Sequence, residues 1–272
     1  MDNIQYKQKE GNFIQAPVFD GKTIDKMPEL VAQGYTPISV AGIMEQRINA
    51  WQSGDQELAK KWSSNFFDSA DGIIYHPDGR IKVVPESQTL REINSNTPLK
   101  WYGSLPLQEG TFDSITEGVE FSKTEVEKFA NKYLKQNEAR ENPIWLALAQ
   151  DDKELLKEYV GQVYSKLNDP ELMKVRVSEK SPKFECERLW CLGSLGNDSN
   201  VFGNNYGGLV GINGRLVGVA PKVQDFAEVT PVATKINLEA LVGDFKTLSE
   251  EGFLTQKTQE LYLSLQKGKY NL

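Results

Sequence analysis

The chain holds two cysteines and one histidine in 272 residues, a scarcity that excludes most metal and thiol chemistry. Cys186 and Cys191 stand five positions apart in "FECERLWCL". In an extended segment rising about 3.3 Å per residue their Cα atoms lie roughly 16 Å apart, whereas a disulfide needs less than about 7 Å. A tetrahedral zinc site needs closer ligands and a second Cys or His group, and the sequence has none. Asp68 and Asp71 in "DSADG" lack the alternating acids of a calcium loop and read as a turn, so no metal site is expected. Basic residues are also in deficit, 31 Lys and Arg against 38 Asp and Glu for a net charge of −7. With no Lys/Arg cluster, nucleic acid is not an expected partner. Long apolar runs are missing, and Lys7, Lys9, Glu10, Asp20 and Lys22 interrupt the first thirty residues. Neither a membrane span nor a leader is read there. The expectation is a soluble, acidic, cytoplasmic protein.

What is present is ordinary globular patterning, 39% apolar and 25% charged. Pro17, Gly21, Pro28 and Gly34 predict an irregular N-terminal arm over 1–35. Residues 36–272 read as a single α+β domain, with a sub-division near 168–171 left open. "TPISVAGIMEQRINAWQSG" places Val40, Met44, Ile48 and Trp51 on one helical face, and "DQELAKKWSSNFF" repeats this with Leu58, Trp62 and Phe66, giving a helical hairpin through Ser53-Gly54. Ser122 and Glu125 form a capping-box pair before "KTEVEKFANKYLK". A further helix displays Leu156, Tyr159, Val160, Val163 and Leu167, stopped by Asn168-Asp169-Pro170. Two more are expected in "NLEALVGDFKTLSEEG" and "TQKTQELYLSLQKG". Period-2 segments predict hairpins near 72–85, 172–192 and 207–220, turning at His76-Pro77-Asp78-Gly79, "SEKSPK" and Asn213-Gly214. Segregated helices and strands argue for a mainly antiparallel sheet covered by several amphipathic helices.

"APVFDGKT", residues 16–23, fits a permissive phosphate-loop pattern. Pro17 lacks a donor, Pro28 interrupts the following turn, and no strand ending in Asp supplies a magnesium partner, so the stretch reads as an Asp20-Gly21 turn without a cofactor. His76 and Cys191 are the residues a Cys/His hydrolase would have to use, with Asn197 or Asn204 orienting them. A carboxylate site at Glu185 and Glu187 is the other catalytic option. Against it, pairing Val177 with Phe184 sets Arg176 opposite Glu185 and Lys174 opposite Glu187, ordinary cross-strand charge pairs. Arg188 falls on the apolar face, as a snorkelling side chain or an anion clamp. The Gly/Asn-rich loop 193–208 is the leading ligand candidate, with Phe202 and Tyr206 as its rim and Asn204 and Asn205 as polar contacts.

In "MPELVAQGYTPISVAGIMEQR" and "DGIIYHPDGRIKV" the chain resembles uncharacterised archaeal hypothetical proteins. That resemblance implies no activity, cofactor or site residue. The functional expectation is a non-catalytic binding or accessory protein for a small molecule or protein, with a hydrolase as the alternative.

Overall fold

The computed structural model describes residues 2–8, 11–167, 171–196, 198–204 and 209–220. The chain divides into two units, Met1–Pro221 and Lys222–Leu272, and every described residue lies in the first. The helices expected at 237–252 and 255–268 lie outside the described residues.

The first thirty-five residues are not irregular. Strands β1 (Asp2–Lys7) and β2 (Phe13–Asp20) form an antiparallel ladder that leads into helix α1 (Thr23–Ala32) and the two-residue β3 (Thr36–Pro37). Pro28 is tolerated inside α1, which buries Ile24, Met27 and Leu30. Next comes the expected helical hairpin, α2 (Val40–Gln52) and α3 (Gln56–Ser63), capped by the side chains of Ser39 and Asp55. Gly54 between them sits at φ +75°, a left-handed turn that glycine adopts without steric cost. Strands β4 (Phe67–Tyr75) and β5 (Ile81–Val84) pair antiparallel through the His76–Gly79 turn, as expected. Asp68 and Asp71, read as a turn, instead lie in β4.

Short elements follow: α4 (Gln88–Arg91), β6 (Leu105–Pro106), α5 (Thr111–Ser114), β7 (Val119–Phe121), α6 (Lys123–Phe129), β8 (Tyr133–Lys135) and α7 (Gln136–Arg140). The Ser122/Glu125 capping box forms, but α6 stops at Phe129 and buries no residue. Two packed helices complete the layer, α8 (Pro143–Leu148) and α9 (Lys153–Leu167). The latter buries Leu156, Tyr159, Val160 and Val163. Last among the described elements are β9 (Glu171–Arg176), β10 (Cys186–Leu192), β11 (Ser199–Phe202) and β12 (Arg215–Val219).

The sheet is mixed and twelve-stranded among the described residues, with the path β1-β2-β12-β4-β10-β11-β9-β8. This corrects the expectation of a mainly antiparallel sheet built from local hairpins. β11 inserts between β10 and β9 and runs parallel to β9, with Ser199 opposite Met173 and Phe202 opposite Arg176. The 172–192 hairpin is therefore absent, and with it the Arg176–Glu185 and Lys174–Glu187 pairs. β12 likewise inserts between β2 and β4, parallel to β4. Leu209–Gly214 forms turns rather than the first arm of a 207–220 hairpin. Hairpin chemistry predicts pairing between neighbours in sequence: β11 does pair with its neighbour β10 but also takes the place beside β9, and β12 joins strands distant in the chain.

One apolar cluster lies against α2, α8 and α9 and includes Ile43, Trp62, Ile73, Trp145, Tyr159 and Trp190. A second packs Phe19, Met27, Leu30, Leu90, Leu189 and Leu216. On the outer strand β1, Gln46 accepts from Lys7 N–H and donates to its carbonyl, while the Trp62 indole donates to the Gln5 carbonyl. Side chains thus satisfy backbone groups that would otherwise template pairing with another chain. No helix among the described residues is long and apolar enough to cross a membrane.

Candidate functional site

The Gly-Lys-Thr stretch does join a strand to a helix, but its donors serve the fold. Ile24 N–H at the start of α1 donates to the Leu209 carbonyl (3.0 Å), and Gly21 N–H donates to the Gly214 carbonyl (2.8 Å). The Thr23 hydroxyl donates to the buried Asp68 carboxylate at 2.6 Å. Burial pushes the Asp68 carboxyl up to about 6, against the opposing pull of hydrogen bonds from Thr23, Cys191 and the backbone at Arg215. Gly214 closes this clasp: a Cβ there would meet the Gly21 carbonyl oxygen at 2.4 Å and Asp68 Oδ2 at 2.6 Å.

The thiol candidates do not come together. Cys191 pairs with Asp68 at one end of β4, whereas His76 follows Tyr75, which pairs with Cys186 at the other. Seven residues of strand separate the two levels, roughly 20 Å. Cys191 is buried, and desolvation with the adjacent Asp68 charge raises its thiol well above the usual range, away from nucleophilic character. His76 Nε2 faces Glu185 at 3.7 Å. Glu185 accepts from Gly110 N–H (2.9 Å) and Phe112 N–H (2.7 Å), an anchor for α5. Glu187 is 1% exposed, with the Ser87 side chain near its carboxylate as a weak polar neighbour. Burial pushes its carboxyl up to about 7, against a smaller opposing pull from the neighbouring Ser87. Its Oε1 would lie 2.1 Å from a Cβ at Gly72, which leaves no room beside it for a substrate.

The loop candidate is divided. Residues 199–202 are strand β11, and Phe202 is buried rather than a rim. Asn197, Asn205 and Tyr206 lie outside the described residues. Asn204 lines a groove of about 400 Å³ together with Trp101, Tyr102, Asn131, Lys174, Arg176 and residues 177–180. The parallel ladder ends at the Arg176–Phe202 pair, where Gly203 N–H donates to the Arg176 carbonyl at 2.8 Å. Beyond that point the chain ends become the walls. The Tyr75 hydroxyl ties them, donating to the Gly203 carbonyl (2.8 Å) and accepting from Ser178 N–H (3.1 Å). Asn131 fixes β9 by donating to the Val175 carbonyl and accepting from Val177 N–H.

Trp101 and Tyr102 adopt φ +34° and +58°, a conformation that bulky side chains avoid and that costs about 1–3 kcal/mol per residue. Reciprocal backbone bonds between Lys100 and Ser104 (2.9 and 2.7 Å) close this turn. Arg188, the residue placed on the apolar face by sequence, is fully buried beneath it. Its guanidinium donates to the Trp101 carbonyl and lies 4.5 Å from the Trp101 ring centroid. Arg188 is thus a clamp on the protein's own turn, which leaves Tyr102 70% exposed at the groove.

Lys174, Arg176 and Lys180 bring positive charge to this groove, and none of them forms an ion pair among the described residues. Arg176 instead donates to the Tyr133 hydroxyl at 3.2 Å and lies between the Tyr133 and Phe202 rings. Desolvation and then the Arg176 charge hold the Lys174 ammonium below its ordinary range. Sequence reasoning missed the Trp101–Tyr102 turn, whose only local signal is an aromatic pair directly before Gly103. It also missed Arg47, fully buried and donating to the carbonyls of Trp62, Asn65 and Gly193 and to the Tyr159 hydroxyl. No cluster of three or more His, Cys, Asp or Glu suited to a metal occurs among the described residues.

No family model and no curated protein matches the chain. A solved structure does: a protein from Nanoarchaeota, described as accommodating massive sequence variation by the C-type lectin fold. It is 16% identical, with a TM-score of 0.58, over 75% of this chain and 97% of that one. The likeness shows the fold, a C-type lectin fold, and its archaeal source fits the resemblance to archaeal proteins without attaching an activity.

Proposed function

We propose that the protein is a non-catalytic binding protein whose ligand seats in the groove under Tyr102. The observation that supports this most is three cationic side chains without ion-pair partners among the described residues, beside a strained, exposed tyrosine. Fold stability alone selects neither feature, because unpaired like charges repel and a left-handed tyrosine costs free energy, and such costs concentrate at functional sites. A groove of about 400 Å³ falls within the size range of ligand pockets. Asn204 carries the loop expectation into this site, and Asn205 and Tyr206 are proposed to add to it from the same segment. Hydrolysis has no comparable support, since Cys191 is enclosed, His76 lies at the far end of β4, and Glu185 serves as a backbone anchor.

The test is a thermal-shift screen of metabolites, sugars and peptides on the wild type, Tyr102→Ala, Tyr206→Ala and His76→Ala. The expected result is a ligand whose stabilisation disappears with Tyr102→Ala and persists with His76→Ala. A ligand that behaves the other way around would place the site at the β4–β5 turn instead.

A further inference from the structure

Taking the groove as the binding site, we propose that its occupant is an extended acidic segment of a protein partner, with two carboxylates two residues apart and an apolar side chain next to them. Lys174 and Arg176 are two residues apart on β9 and both line the groove. Alternate side chains of a strand share a face at about 7 Å spacing. An extended peptide repeats its own side chains at that same spacing, so acids at alternate positions meet both cations in register. Arg176 lines the groove with its guanidinium oriented by the Tyr133 hydroxyl and by the Tyr133 and Phe202 rings, a fixed cation for a carboxylate to meet.

The rest of the lining separates a peptide from a phosphate chain. Glu179 stands among the cations, and Asn131 and Asn204 add amides. A carboxylate needs a donor from the ligand, and a peptide backbone supplies N–H groups where a phosphodiester backbone supplies none and is repelled. Beside the aromatic turn stands Val210, 46% exposed. Val210 abuts the aromatic turn, because a Cβ on Gly103 would come within 2.8 Å of it. Trp, Tyr and Arg beside an exposed valine match the composition of protein interfaces better than that of a site closed around a small metabolite.

The experiment is selection of a displayed random heptapeptide library on the full chain. Affinities of the synthetic consensus peptide, its Glu/Asp→Gln/Asn counterpart, oligouridylate and trigalacturonate are then measured for the wild type, Lys174→Gln/Lys180→Gln and Tyr102→Ala. The expected consensus has two acids at i and i+2 with an adjacent apolar residue. Its affinity should fall about tenfold or more in the double variant, in the amidated peptide and at high salt. Peptides selected without acids that are nevertheless lost in Tyr102→Ala would overturn the acidic class and leave the groove standing. So would binding of oligouridylate or trigalacturonate, but no peptide, that is lost in Tyr102→Ala. Acidic peptides that bind both variants as well as the wild type would overturn the groove itself.

Discussion

The polar groups around Asp68 and Arg47 are consumed by the chain, and those around Arg176 are not. Asp68 is enclosed by Thr23, Cys191 and the backbone at Arg215. Arg47 uses its guanidinium on three carbonyls and a hydroxyl while fully buried. At the groove, Lys174, Arg176 and Lys180 form no ion pair among the described residues, although Glu179 and Asp198 act on Lys174 at longer range, whereas Arg80, Arg91 and Arg215 each have a carboxylate partner. Burial alone therefore does not mark a functional site in this protein. Closed polar clusters hold strands that are distant in sequence, and the open one has charge left for a ligand.

That contrast can be broken or sharpened by substitution. The largest effect is expected for Arg47→Leu, which strands the buried carbonyls of Trp62 and Gly193 and removes a donor from the Asn65 carbonyl and the Tyr159 hydroxyl, a loss of about 4 kcal/mol in denaturant unfolding. Gly214→Ala forces a methyl against Asp68 and the Gly21 carbonyl and should cost about 3 kcal/mol. Glu187 gives a pH signature. Its folded carboxyl lies at about 7 against an ordinary value of 4.5. The folded state therefore holds the proton more tightly, and this contribution is fully present below about pH 4.5 and lost as pH rises through about 7. Asp68 acts in the same direction, its contribution being lost as pH rises through about 6, so only a small remainder falls above that pH. Unfolding measured at pH 6 and pH 8 should show a fall in wild-type stability on the order of 1 kcal/mol that Glu187→Gln removes. An unchanged fall in the variant would assign it to another group. Smaller still, Tyr102→Gly relieves the left-handed backbone and should raise stability by about 1 kcal/mol while abolishing ligand binding, an exchange of function for stability.

How much was legible in the sequence follows the same division between near and far. The α2–α3 hairpin and the β4–β5 turn were readable because caps, Gly54 and Gly79 act within a few residues. The places of β11 and β12 were not: β12 pairs with strands far away in the chain, and β11, beside pairing with its neighbour β10, runs parallel to β9 and so separates the segments whose apparent register matched Arg176 to Glu185. That register hid the proposed site: with Lys174 and Arg176 given cross-strand partners, neither stands out as a cation without an ion pair. Arg188, read from sequence as a snorkelling side chain or an anion clamp, donates to the Trp101 carbonyl and lies over its ring. Arg47 had a readable signal, a charged residue on the apolar face between Met44 and Ile48, but a partner list for it exists only in three dimensions.

The measurement that tests the central claim most directly needs no ligand: the thermal unfolding midpoint of Lys174→Gln/Lys180→Gln beside the wild type at low and moderate salt. If these charges serve binding rather than the fold, the midpoint stays the same or rises slightly at low salt as repulsion of Arg176 is relieved, and the difference vanishes with screening. A drop as large as that of Gly214→Ala would show that the groove's cations hold the structure together, and would contradict the account.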